Sequence, residues 1–139
     1  MIYFLDRIWL YSAFYGEQLR ISEQLHEEGY SYAAFLVLFN VLELLCKSLR
    51  ESDNGSVVSN IKWMLDNGLI TPDEEVFLNG QNGIRKIRNI MTHRNLYEYY
   101  FEKDGIVYSF ADSETWDIVY ASYAPHTIEI MHNAIINTE

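Results

Sequence analysis

The chain has little of what staples or interrupts a fold. A single cysteine, Cys46, stands in an apolar run among 139 residues, so a disulfide framework is excluded and a reducing cytoplasm is expected. Only two prolines and seven glycines occur, which leaves room for long helices. Positive charge is scarce: ten Lys and Arg stand against twenty Asp and Glu, a formal net charge of -10. That balance argues against broad adhesion to nucleic acid or to anionic membrane, and no DNA partner is expected. Any nucleic-acid contact has to be focal, or made by combining surfaces in an oligomer. The apolar start MIYFLDRIWLYSAFY has no basic leader and is interrupted at Asp6 and Arg7, so neither a signal peptide nor a membrane span is expected. Internal repeats and low-complexity linkers are missing too. So is a phosphate-cradling loop: NGQNG at 79–83 is followed by no Lys-Ser or Lys-Thr. His26, His126 and His132 have no metal-ligand spacing, and no cofactor or metal is implied.

What is present suits one globular domain, 1–139, since 49% of the residues are hydrophobic and 15% aromatic. Ile2 to Leu25 reads as a first helix, apolar nearly all round at its start. Its aromatics from Tyr3 to Tyr15 read as core or dimer interface before base stacking. Tyr30 to Arg50 reads as a second, with Asn40, Glu43 and Lys47 forming one narrow polar stripe. Ser56 caps a third helix, Val57 to Asp66, stopped by Asn67 and Gly68. Thr71 caps the next, with Pro72 first and Asp73, Glu74 and Glu75 in its opening turn. Gly80 and Gly83 predict a break before helix resumes from Ile84 to Arg94. The segment 97–110 turns β-like around Lys103-Asp104-Gly105, a hairpin signal. Asp112 or Ser113 caps a last helix, which Pro125 is expected to kink before it ends near Asn137. The expected fold is mainly α, a four- to five-helix bundle with one small β-hairpin.

Against the acidic background one stretch stands out. From Val76 to Tyr97 there is no acid, and IRKIRNIMTHRN at 84–95 gathers Arg85, Lys86, Arg88 and Arg94 around His93. A local reversal of charge is what an anion site needs. Within it Arg88, Asn89 and His93 spell R-N-x-x-x-H. Asn89 and His93 share a face at i and i+4, whereas Arg88 and His93 stand about 140° apart on an ideal helix, a gap that the long Arg side chain closes. Arg88 offers a two-pronged donor fork for phosphate oxygens. His93 brings an imidazole, a side chain able to move a proton. Phosphodiester cleavage wants help at both the attacking hydroxyl and the leaving oxygen, and a two-fold dimer supplies both by doubling the pair in one cleft. Plainer readings stand beside these. His93 can be a helix-end histidine facing the dipole, and Arg85, Lys86 and Arg94 a solvated face. Glu43 either pairs with Lys47 along an exposed seam or points inward to orient Arg88; in both cases it needs a partner cation.

R-N-x-x-x-H on the penultimate long helix of a small helical domain resembles the HEPN superfamily (higher eukaryote and prokaryote nucleotide-binding). The helix AAFLVLFNVLELLCKSLR, carrying Glu43, is similar to the second helix of that family. The resemblance covers roughly Ile2 to Asn95 and the last helix, with 97–110 as an insertion. It implies a metal-independent endoribonuclease that works as a homodimer on RNA in the cytoplasm. Such enzymes attack with the 2′-hydroxyl and leave a cyclic phosphate, and many act as toxins or antiphage abortive-infection effectors. Arg88 and His93 would then be catalytic with Asn89 in support, Glu43 a supporting acid, and Arg85, Lys86 and Arg94 contacts to RNA. A non-catalytic HEPN-like nucleotide- or protein-binding module is the alternative. Relatives paired with a nucleotidyltransferase antitoxin carry a modified Tyr two places after the His. Asn95 stands there in this chain, which leaves Tyr97 as the candidate for modification by such a partner.

Overall fold

The computed structural model describes all 139 residues. Seven α-helices run in the order α1 (Ile2–Tyr11), α2 (Ala13–Glu27), α3 (Ser31–Arg50), α4 (Val57–Asp66), α5 (Pro72–Asn79), α6 (Ile84–His93) and α7 (Ser113–Asn137). A single turn of 3-10 helix (Leu96–Glu98) and a hairpin of β1 (Tyr100–Lys103) and β2 (Ile106–Ser109) lie between α6 and α7. The mainly α class with one small hairpin holds, but there are more helices than the four or five expected.

Part of that difference lies at Ser12. The expected single helix from Ile2 to Leu25 is two helices, because Ser12 is extended (φ -148°, ψ 111°) and its Oγ accepts from the Tyr15 amide at 3.2 Å. A serine at this position caps a new helix. The apolar excess around the corner supplies the drive to fold α1 back: Leu5 and Ile8 are buried in the common core, and Asp6 meets Arg20 across the corner. Gly16 allows the close approach, its α-carbon facing the backbone of Trp9.

α3 is the central element, packed against α2, α7, α4 and α6. Its apolar residues at Phe35, Leu38, Leu42 and Leu45 are almost wholly buried, as are Val119 and Ile128 from α7. By length and composition α3 is also apolar enough to cross a membrane; in this fold its apolar faces are taken up by the neighbouring helices. Each such Leu or Ile contributes roughly 1.5–3 kcal/mol on burial. Capping follows the residues that signalled it. Ser56 Oγ accepts from Ser59, and Thr71 with Glu74 forms a reciprocal capping box in front of Pro72. α7 runs as one helix from Ser113 to Asn137 with Pro125 inside it. Asp112 stands before α7, but its side chain makes no cap hydrogen bond.

The hairpin pairs Tyr100 with Ser109 and Lys103 with Ile106. Its turn, Asp104-Gly105, has both residues at positive φ (53° and 80°), the twist that a two-residue hairpin loop needs. Phe101 anchors it against Phe110 and Tyr123.

Candidate functional site

Three buried side chains of α6, Ile84, Ile87 and Met91, orient that helix on the core. Their spacing turns Arg85, Arg88, Asn89, Thr92 and His93 toward one shallow groove of about 270 Å3. Phe39 and Glu43 of α3 form the facing wall, and Ser56, Val57 and Val58 close one end. α6 remains helical through His93, with Thr92 Oγ1 donating to the Arg88 carbonyl at 3.0 Å and the Arg94 amide to the Ile90 carbonyl at 3.1 Å. No loosening of the helix after Thr92 is needed to bring Arg88 and His93 to one groove.

The cations of the groove are not committed to carboxylates. The ion pairs of the molecule are Asp6–Arg20 and Glu129–His126, both elsewhere. The Arg88 guanidinium lies over the Phe39 ring, 5.8 Å from its centroid, which steadies the side chain while leaving its donors free for an anion. Arg85 makes one long hydrogen bond, Nη2 to the Asn79 carbonyl at 3.5 Å, and its buried Nε has no acceptor. The start of α4 adds a further positive contribution. Ser56, Val57 and Val58 are the cap and first turn of that helix, where backbone N–H groups lack intrahelical partners and the dipole is positive. The cap at Ser56 was legible in the sequence; that it faces α6 was not, since the two segments are joined only through α5.

Glu43 is the one carboxylate on the groove wall. It is half-buried and forms an ion pair with neither Lys47 nor Arg88, so the expected partner cation is not found. A lone carboxylate offers no cluster of oxygen ligands for a hard divalent cation. Five of the residues singled out in the sequence, Arg85, Arg88, Asn89, His93 and Glu43, therefore meet in one place. Three do not. Lys86 lines a different cavity, between α6 and the hairpin. Arg94 leaves the helix in extended conformation and is exposed. Tyr97, in the 3-10 turn, is 78% exposed and open to a modifying enzyme, but it does not line the groove.

A second polar cluster went unseen in the sequence. Ser31 Oγ sits between His26 Nδ1 (2.7 Å) and Asp117, joining the end of α2 to the starts of α3 and α7. The residue types are those of a nucleophilic triad, but the order is wrong for it. Serine, not histidine, occupies the centre, and Ser31 is 2% exposed. Beside it His26 stacks on Tyr120, whose hydroxyl meets Ser22 and Glu23. Burial, reinforced by the Glu23 charge, pushes the Tyr120 phenol far above its usual range. This is a structural knot tying three helices.

No protein-family profile, curated protein or solved structure matches the chain.

Proposed function

We propose that this chain is a homodimeric, metal-independent endoribonuclease of HEPN type, acting in the cytoplasm as a toxin or antiphage abortive-infection effector. The supporting observation is the meeting of Arg88, Asn89 and His93, from the acid-free segment of an acidic chain, with Arg85 and the start of α4 in one groove that holds a single carboxylate. In this reading Arg88 takes the non-bridging oxygens of the scissile phosphate with its fork, and Arg85 and the α4 amides share the added charge of the phosphorane. Two protomers face each other groove to groove. His93 of one removes the proton of the 2′-hydroxyl as O2′ bonds to phosphorus. His93 of the partner subunit gives a proton to O5′ as the P–O5′ bond breaks. The products are a 2′,3′-cyclic phosphate and a 5′-hydroxyl. Asn89 orients the substrate or the imidazole beside it. Lys86 and Arg94, outside the groove, touch flanking backbone.

The test compares wild type with Arg88→Ala and His93→Ala in growth inhibition and in cleavage of RNA with excess chelator. Wild type is expected to cleave and to leave cyclic phosphate ends, and both variants to lose at least a hundred-fold, on the order expected for removing an acid–base group. Equal activity in all three sinks the enzyme. The formal charge of -10 supports a second reading, a non-catalytic nucleotide- or protein-binding module using the same groove. Binding that survives in a protein that cleaves no RNA would favour that one.

A further inference from the structure

α6 has two open flanks, and the groove occupies only one. On the other lies a cavity of about 720 Å3, within the size range of pockets that hold small organic ligands. The two share α6 as a common wall about 10 Å thick. Arg85, Asn89 and His93 face one side, Lys86 and Ile90 the other. The far wall of the second cavity is strand β1 of the hairpin.

Its lining is aromatic and electrically balanced. Phe77 and Phe101 both pack on Tyr123, with centroids 5.6 and 6.3 Å away and rings tilted by 44° and 55°. Tyr100 stands at the mouth, 61% exposed. Lys86 and Lys103 are matched by Glu102 and Asp104, and Lys103 Nζ is already spent on Ser122 Oγ at 2.8 Å. A di- or triphosphate would meet no excess of cations here. In the groove, by contrast, Arg85 and Arg88 face a single carboxylate. What the second cavity suits is an uncharged heterocycle carrying hydroxyls. The rings offer a stacking face, and the carboxylates accept from hydroxyl or amino groups. The exposed amides of Gln81 and Asn82 present a donor and an acceptor each to a base edge.

We propose that this hairpin-walled cavity holds one unpaired nucleobase and its ribose, from the same RNA strand and a few nucleotides along from the phosphate in the Arg85–Arg88–His93 groove, the strand passing over the exposed ridge of α6 between them. The idea rests on the nuclease reading for the identity of the strand, but it assigns to the hairpin a task of its own. The groove grips charge without reading sequence, whereas the cavity reads a base a few nucleotides from the cleavage point. It makes this enzyme one for single strands, because a paired base cannot turn out into the cavity without unstacking.

The experiment uses a single-stranded oligoribonucleotide carrying a 2′-O-methyl group at the cleavage point, so that it binds without reacting. Single abasic substitutions are walked along it, and each is titrated against wild type, Tyr100→Ala and Gln81→Ala; both side chains are exposed, so the fold should survive. One abasic position, a few nucleotides from the blocked link, is expected to weaken wild-type binding roughly ten-fold, the loss of one base stack. Tyr100→Ala should lose a similar factor on the intact strand and nothing further on that abasic one. Additive losses, or no position at which abasic and Tyr100 effects overlap, would overturn the proposal. Free adenosine, guanosine, cytidine and uridine, titrated against isotope-labelled protein, separate the two hypotheses. Nucleoside shifts confined to Gln81, Asn82 and Tyr100–Lys103 in a protein that cuts no RNA would keep the cavity and dismiss the nuclease. Cleavage that needs Arg88 and His93 but has unchanged KM and base preference in Tyr100→Ala would do the reverse. Shifts produced by a proline-rich peptide and by no nucleoside would reassign the cavity to protein binding and refute the proposal.

Discussion

Gly16→Ala is the substitution on which helix propensity and tertiary packing disagree most clearly. In an isolated helix alanine is better than glycine by about 1 kcal/mol, so reading α2 alone predicts a stabilised protein. In the folded chain an added Cβ would lie 2.6 Å from both Cα and Cβ of Trp9 and 2.9 Å from its Cδ1. Ordinary carbon contacts are about 3.5–4.0 Å, so α1 has to retreat by about 1 Å. No rotamer avoids this, because two of the three atoms belong to or adjoin the backbone. Overpacking of this kind costs about 1–3 kcal/mol, and the retreat also strains the Asp6–Arg20 pair and the Tyr11–Ser48 hydrogen bond, both exposed and each a small term. After the propensity gain a net loss of up to about 2 kcal/mol is expected, which for a chain of this size is a Tm lower by up to roughly 8 °C. Urea and thermal unfolding followed by circular dichroism measure it. Trp9→Ala in the same background should bring no rescue, since the Cα and Cβ contacts remain. A Tm raised by the several degrees that the propensity gain alone would give would show that α1 does not fold back on α2 at this glycine.

Cys46 supplies a test of the core. Burial, with a smaller effect from the Glu43 charge, pushes its thiol from 9.0 up to about 12. The neutral form is the one the fold favours, so its contribution to stability is intact below pH 9 and is lost as pH rises toward about 12. Cys46→Ala should flatten the stability profile across that window by up to about 1.4 kcal/mol per pH unit, read from urea midpoints. In wild type a disulfide reagent at pH 8 should label the thiol only at the rate of opening; rapid labelling of native protein would contradict the burial. In the groove, Arg88→Lys keeps a positive charge but loses the planar fork. Under the nuclease reading kcat should fall at least about ten-fold with a smaller change in KM, and full activity in that variant would show that two-pronged recognition is unnecessary.

The elements that announced themselves in the sequence are those specified by local chemistry. Ser56 and Thr71 cap helices because their hydroxyls reach amides three residues on, and Asp104-Gly105 turns a hairpin because both residues accept positive φ. The candidate residues were equally visible, since charge and the i, i+4 spacing of Asn89 and His93 lie within one short segment. Local rules misjudged Ser12, where an apolar helix divides only because folding back buries more of it. They also missed the groove wall from α4, the knot at Ser31, and the pairing of hairpin with α6, for each joins segments that chain position holds far apart. What the sequence by itself determined is therefore most of the helices, the turn and the basic R-N-x-x-x-H segment, all of them properties of neighbouring residues. Only tertiary packing decided which side chains share a cavity, because burial of the apolar faces of α6 and α3 sets the direction in which the remaining faces point.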